Sequence, residues 1–245
     1  MNYKLYIMEA LQQFDAGIFT TINGWHAFYF DNFMALVTVV ATWLPMILML
    51  LFMIYKKKGW RKMLAVLLAV AVVILIADQV SASIIKPAVA RLRPSRNPDL
   101  QATVHLVNGY NGGKFGFVSS HAANCFGIAL LLAFFFKNRA FTWAMIAWAS
   151  LMCYSRIYLG VHYPGDIACG AILGVAAAAV VYHLMKWLSK KNARWFDISF
   201  TTGETRQMIY ALLANVVLLA LLALIMTLFI ENNETIYNIL GLFKR

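Results

Sequence analysis

Long polar stretches are nearly absent from this 245-residue chain, and their absence removes several classes of protein at once. Charged residues make up only 13% against 62% hydrophobic, with a mean hydropathy of +0.70, so a charge among such neighbours is costly unless it serves a purpose. No repeat of fixed period and no low-complexity linker occurs. With about half of the chain in apolar runs, no length remains for a second soluble domain of ordinary size. The N-terminus lacks the basic start and small-residue cleavage site of a secretory signal peptide, so the first span is expected to insert uncleaved. The three cysteines, Cys125, Cys153 and Cys169, all fall inside apolar runs, where they read as small apolar fillers and say little about redox compartment.

What is present is a set of runs of bilayer-spanning length, at Phe33–Tyr55, Met63–Ile85, Phe117–Phe136, Ala140–Leu159, Pro164–Met185 and Met208–Ile230. The expected fold is all-α, a polytopic membrane helix bundle with about six transmembrane helices, forming one domain over residues 1–245. Residues 1–30 differ. Leu5, Met8, Leu11 and Ile18 alternate with Glu9, Gln12, Gln13 and Asp15, which suits a helix lying in the membrane interface, followed by Trp25, Phe28, Tyr29 and Phe30 at headgroup depth.

A net charge of +11 invites a nucleic-acid reading, but the positions of the basic residues argue against it. Lys56, Lys57, Lys58, Arg61, Lys62, Lys137, Arg139, Lys186, Lys190, Lys191, Arg194 and Arg206 all fall in connections on one side, as cytoplasmic loops require. Lys86, Arg91, Arg93, Arg96, Lys114 and Arg156 lie on the other. The expected location is the inner (cytoplasmic) membrane, with the polar clusters facing the periplasm or exterior.

Those clusters are Lys86 with Arg93-Pro94, Ser119-Ser120-His121, and Ser155-Arg156 with His162 and Asp166. Parity brings them together, since they stand at the end of span two, the start of three, the end of four and the start of five. Arg93 and Arg156 offer planar forks for phosphate oxygens, and Lys86 a compact charge. Ser119 and Ser120 suit a helix N-terminus that attracts an anion; a plain N-cap has the same appearance, and His121 directly afterwards favours the anion. His162 and Asp166 are spaced for the carboxylate to orient the imidazole, leaving its other nitrogen free to attack phosphorus. No carboxylate pair and no Cys/His ligand set lies nearby, so no metal and no cofactor is implied.

The order Lys86, six residues, Arg93-Pro94; Ser119-Ser120-His121; Ser155-Arg156, five residues, His162, three residues, Asp166 resembles the type-2 phosphatidic acid phosphatase superfamily of membrane lipid phosphatases. The resemblance covers residues 80–190. It implies that His162 forms a phosphohistidine, that His121 protonates the leaving group and that Asp166 supports His162. It further implies that Lys86, Arg93, Ser119, Ser120 and Arg156 hold the phosphate without a metal. The chain departs from the usual Pro-Ser-Gly-His by carrying Val118-Ser119-Ser120-His121, which removes a fixed φ and a permissive position and leaves the Ser120 hydroxyl as an alternative donor.

Three further features complete the reading. The turn-rich loop with Asn108-Gly109, Asn111-Gly112-Gly113 and Gly116 can cover the pocket or stand as a solvated turn. Asp78 is expected to be structural, and Gly170 and Gly174 to allow close helix contact. The implied substrate is a phosphorylated membrane lipid within the bilayer: undecaprenyl pyrophosphate, phosphatidylglycerol phosphate, phosphatidic acid or lipid A. A phosphotransferase using the same histidine and a non-catalytic transporter or scaffold are the alternatives; oligomeric state is left open.

Overall fold

The computed structural model describes residues 3–189 and 200–231. Its helices in chain order are α1 (Tyr3–Gly24), α2 (Phe28–Thr38), α3 (Leu44–Lys58), α4 (Trp60–Asp78), the short α5 (Lys86–Val89), α6 (Ser120–Phe136), α7 (Arg139–Tyr158), α8 (Pro164–Ser189) and α9 (Thr202–Glu231). Among the described residues, four stretches are long and apolar enough to cross a membrane, Val40–Lys58, Trp60–Val89, Pro164–Ser189 and Thr202–Ile230. The helix α6 is apolar but only 17 residues long, and α7 has 20 residues with an arginine near each end. Each of the six expected runs is therefore helical over most of its length, and four of them overlap a stretch with the length and hydropathy of a span. Lys190, Lys191 and Arg194, counted above on the cytoplasmic side, lie outside the described residues.

The first run is not one helix, as 33–55 was expected to be. Its chain breaks after Thr38 and passes through a 3₁₀ turn, Val40–Trp43. Side chains cause the break by taking carbonyls that a continuing helix would use. The Trp43 indole donates to Val37 at 2.9 Å and the Thr42 hydroxyl to Leu36 at 2.8 Å, while Pro45 in the next turn has no N–H to offer. The second run extends past its expected end, continuing from α4 through a π-helical segment, Gln79–Ile85, into α5. It stops where Ala90 turns left-handed at φ 50°.

The centre of the bundle is α6, which packs on α8 most extensively and is flanked by α4 and α7. Small residues decide that contact. A Cβ at Gly170 would collide with the Ser119 carbonyl, and one at Gly174 with the Ala123 carbonyl, so the two backbones meet directly. Around them lies one large core that includes Val73, Leu131, Phe136, Phe141, Ala149 and Ala178, with Trp43 edge-on to Trp148 at 5.9 Å. The last helix, α9, is fastened to α2 by the Asn32 amide donating to the Thr227 hydroxyl at 3.1 Å and by Tyr29 donating to the Ala220 carbonyl at 3.3 Å.

In α1 one side is applied to α7 and α8. Phe19 and Asn23 are buried there, with Asp15 and Ala16 half-buried, while Tyr6, Met8, Leu11 and Phe14 stay exposed. An exposed apolar row of this kind suits a helix resting on the bilayer surface. Asn23 donates to the carbonyls of His105 (3.0 Å) and Tyr158 (2.8 Å), tying α1 to the connection before α6 and to the end of α7.

The α6–α8 contact supplies the first test. Gly174→Ala is expected to cost the roughly 1–3 kcal/mol of overpacking, read as a lower thermal midpoint in detergent. Gly203→Ala, where an added Cβ meets nothing within 4 Å, is expected not to lower it.

Candidate active site

All eight candidate residues stand at one end of this helix cluster. Ser119 caps α6, its hydroxyl accepting from the Ala122 N–H at 3.3 Å, and its own N–H donates to the Asp166 carbonyl at 2.9 Å. That second bond locks the start of α6 to the start of α8, which is where the glycine contact brings them. Ser120 stands one residue further on, and its hydroxyl accepts from Lys86 Nζ at 2.6 Å and lies 2.7 Å from the Ser81 hydroxyl. Ser81 sits in the π-helical segment, so the widened turn holds both Ser81 and, at its end, Lys86 against α6.

His162 occupies the tight turn between α7 and α8 and is almost fully buried. Its Nδ1 is 3.3 Å from Asp166 Oδ2, and its Nε2 is 3.0 Å from Arg93 Nη1. A guanidinium can only donate, so Nε2 accepts and the ring proton is on Nδ1, directed at the carboxylate. Burial is the main cause holding the His162 pKa well below its ordinary value, and the charges of Arg93, Arg156 and Lys86 act the same way. The ring is thus neutral, with its Nε2 lone pair directed at Arg93.

Arg93 and Arg156 are both buried. Arg93 also donates to the Val161 carbonyl at 3.1 Å; burial, then the charge of Arg156, lowers its pKa from the ordinary guanidinium value. Arg156, in the last turn of α7, donates to the Thr38 hydroxyl at 2.7 Å and to the Tyr110 hydroxyl at 3.3 Å. The Nε–H groups of both arginines are buried without a hydrogen-bond partner. Two buried charged donors lacking acceptors are costly, and an anion placed between them would supply the missing oxygens. His121 is half-buried on the first turn of α6, beside the Thr38 backbone and within electrostatic range of Arg156 and Arg93. The break between α2 and α3 therefore brings Thr38 to the site.

The turn-rich loop covers the pocket. A single antiparallel bridge between Leu92 and Phe115 returns it to the first motif, with the Gly116 N–H donating to the Arg91 carbonyl at 2.9 Å. Its glycines are close-fitting. A Cβ at Gly116 would stand 2.7 Å from Asp166 Oδ2, and one at Gly112, whose φ is +64°, 2.9 Å from Arg93 Nη1. Tyr110 places its ring 5.3 Å from the Arg156 guanidinium, and the hydrogen bond from that arginine lowers the phenol's pKa. Asp78 has a structural partner, accepting from the Asn124 amide at 3.1 Å.

Sequence reasoning missed several side chains that touch the cluster, among them Thr38, Ser81, Tyr110 and Arg91. Arg91 donates to Asp166 Oδ1 at 2.9 Å, yet it appeared in the sequence only as one more positive charge on the outer side. No local pattern distinguishes it from Arg96.

Two buried arginines with unpartnered donors and an imidazole hydrogen-bonded to one of them, set at one end of an apolar helix bundle, suit a membrane protein that handles phosphate. Residues 62–190 match the model of the PAP2 superfamily, and the chain belongs to that superfamily. It is 38% identical over 187 residues to the lipid A 4'-phosphatase of Bacteroides thetaiotaomicron, covering 76% of this chain and 83% of that protein. It is 36% identical over 192 residues to the lipid A 4'-phosphatase of Porphyromonas gingivalis, covering 78% and 80%. In fold it is similar to the crystal structure of a transmembrane PAP2-type phosphatidylglycerolphosphate phosphatase from Bacillus subtilis, with a TM-score of 0.53 at 22% identity over 72% of this chain and 87% of that one. The chain is accordingly a membrane lipid phosphatase, a hydrolase of the PAP2 class.

Two outcomes test the geometry. Gly116→Ala is expected to lower phosphate release about 10²-fold, the scale set by ångström misplacement of reacting groups. Gly113→Ala, with nothing within 4 Å of the new methyl, is expected to leave it unchanged. The His162 ring is expected to protonate below pH 6.5 when followed by imidazole NMR in the substrate-free protein. Between that folded-state pKa and 6.5 the unfolded chain binds the extra proton, so His162 makes stability fall as pH drops through this window.

Proposed function

We propose that the protein hydrolyses a phosphate monoester of a lipid A-type phosphorylated lipid through a phosphohistidine on His162, at the non-cytoplasmic face of the inner membrane. The observation that carries this reading is the pair of unpartnered Nε–H groups on buried Arg93 and Arg156 beside a neutral His162. The substrate class is supported by two relatives named lipid A 4'-phosphatase, each matched over at least 80% of its length. The orientation is supported by Lys56, Lys57 and Lys58 at the end of α3 and by Lys137 and Arg139 between α6 and α7, at helix ends opposite the candidate site.

In this mechanism the phosphate oxygens take the Nε–H and terminal donors of Arg93 and Arg156, with Lys86 and the hydroxyls of Ser119 and Ser120 completing the cradle. Arg156 then exchanges Thr38 or Tyr110 for phosphate, and Arg93 releases His162 Nε2. The freed lone pair attacks phosphorus as the bond to the leaving oxygen breaks, and His121 gives that oxygen its proton. The ring becomes cationic on phosphorylation, and Asp166 stabilises it through Nδ1–H. Water then attacks the phosphohistidine while His121 takes a proton back, releasing inorganic phosphate and regenerating both rings.

The test is phosphate release by detergent-purified protein in EDTA from lipid A, phosphatidic acid, phosphatidylglycerol phosphate and undecaprenyl pyrophosphate. Release is expected to be fastest from lipid A, and His162→Ala is expected to lower it by at least about 10⁴-fold. A His162→Ala protein that keeps a rate near wild type would sink the mechanism. Exclusive cleavage of undecaprenyl pyrophosphate would overturn the substrate assignment alone.

A further inference from the structure

The N-terminal helix reaches the reacting histidine through charge. Asp15, in the middle of α1, accepts from Arg91 Nη2 at 2.7 Å, and the same guanidinium donates through Nη1 to Asp166 Oδ1 at 2.9 Å. Asp166 uses its other oxygen for His162 Nδ1 and for the Tyr163 N–H, at 3.3 and 3.1 Å. One continuous line of polar contacts thus runs from α1 to the imidazole. Asp15 lies outside residues 62–190, the part of the chain that matches the superfamily.

Other contacts hold this line in place. The second oxygen of Asp15 accepts from the Gly165 N–H at 2.7 Å, so a carboxylate from α1 satisfies an orphan donor at the start of α8. Gly165 is close-fitting here: a Cβ on it would stand 2.7 Å from Asp15 Oδ2. The Arg91 guanidinium stacks over Tyr163 at 4.0 Å from the ring centre; that ring meets Phe19 of α1 at 5.5 Å, and its hydroxyl accepts from the Asn97 amide at 3.1 Å. Arg91, Asp15 and Asp166 are well shielded, with side-chain exposures of 18, 14 and 0%, so the pairs act in a medium of low screening.

We propose that Asp15 is a positioning residue for the phosphoryl-transfer site: by sharing the Arg91 guanidinium it orients Asp166 and leaves that carboxylate free to support His162. The inference rests on the reading of His162 as nucleophile. With Asp15 ionised, one guanidinium is divided between two carboxylates. Without it, the full charge of Arg91 falls on Asp166, weakening the hold of Asp166 on the Nδ1–H when the ring turns cationic. The effect belongs to the chemical step and leaves substrate affinity alone, since Asp15 contacts no group of the phosphate cradle.

The experiment is steady-state hydrolysis of lipid A in detergent micelles by the full chain carrying Asp15→Asn, Arg91→Gln, both together, or His162→Ala. The Asp15→Asn substitution keeps an acceptor for the Gly165 N–H and the shape of the side chain while removing the charge. It is expected to lower kcat about tenfold, as loss of a partner one contact behind a reacting group commonly does, with KM within about twofold. In the Arg91→Gln background the same change is expected to alter kcat by less than about twofold, because the route to Asp166 is already cut. Equal loss in both backgrounds, a loss confined to thermal midpoint, or an unchanged kcat would each overturn the proposal while His162→Ala stays inactive. Activity in His162→Ala would overturn both this inference and the mechanism beneath it.

Discussion

The contact between α6 and α8 is the constraint on which the rest of the site depends. Gly170 and Gly174 allow the α8 backbone to touch the Ser119 and Ala123 carbonyls, a distance that any side chain would forbid. The Ser119 N–H can then donate to the Asp166 carbonyl, which brings the two helix starts into register. Two histidines far apart in the chain come from these starts: His121 from the first turn of α6 and His162 from the turn that leads into α8. Their neighbourhood is a consequence of backbone approach in the apolar core.

Charge placement within that frame is uneven in a useful way. Arg93 meets His162 at Nε2, the charges of Arg156 and Lys86 act on the same ring, and a single carboxylate, Asp166, meets Nδ1. Burial and these cations keep the imidazole neutral, while the carboxylate decides which nitrogen carries the proton. The cations are not fully paired with acids. They lean on hydroxyls, carbonyls and the imidazole, partners that a phosphate can replace, and each arginine keeps a buried donor with no partner at all. A site held in this way gains more from an anion than one whose arginines are already salt-bridged.

The segments outside the three motifs are structural participants in the pocket. The connection from Ala90 to Ser119 folds back by the Leu92–Phe115 bridge and sets Gly112, Gly116 and Tyr110 over the arginines and Asp166. A break between α2 and α3, made by Trp43 and Thr42 claiming carbonyls, brings Thr38 to Arg156. From below the turn into α8, Asp15 meets Gly165 and Arg91. Each of these depends on a side chain whose partner lies far away in sequence.

The sequence by itself determined the helical membrane class, the approximate extent of five of the six apolar runs, and the gathering of Lys86, Arg93, Ser119, Ser120, His121, Arg156, His162 and Asp166 at one end. Those features follow from hydropathy, from span parity and from motifs whose residues are local. It could not show that the first run is broken, because an uncharged stretch has the same hydropathy whether its carbonyls serve the helix or a neighbouring indole. Nor could it separate Arg91 from Arg96, or Asp15 from the other polar residues of an amphipathic helix. Only the tertiary structure decided those, since the partner of Arg91 is selected by the packing of α1 against α8, and packing between distant segments leaves no periodic trace in either one.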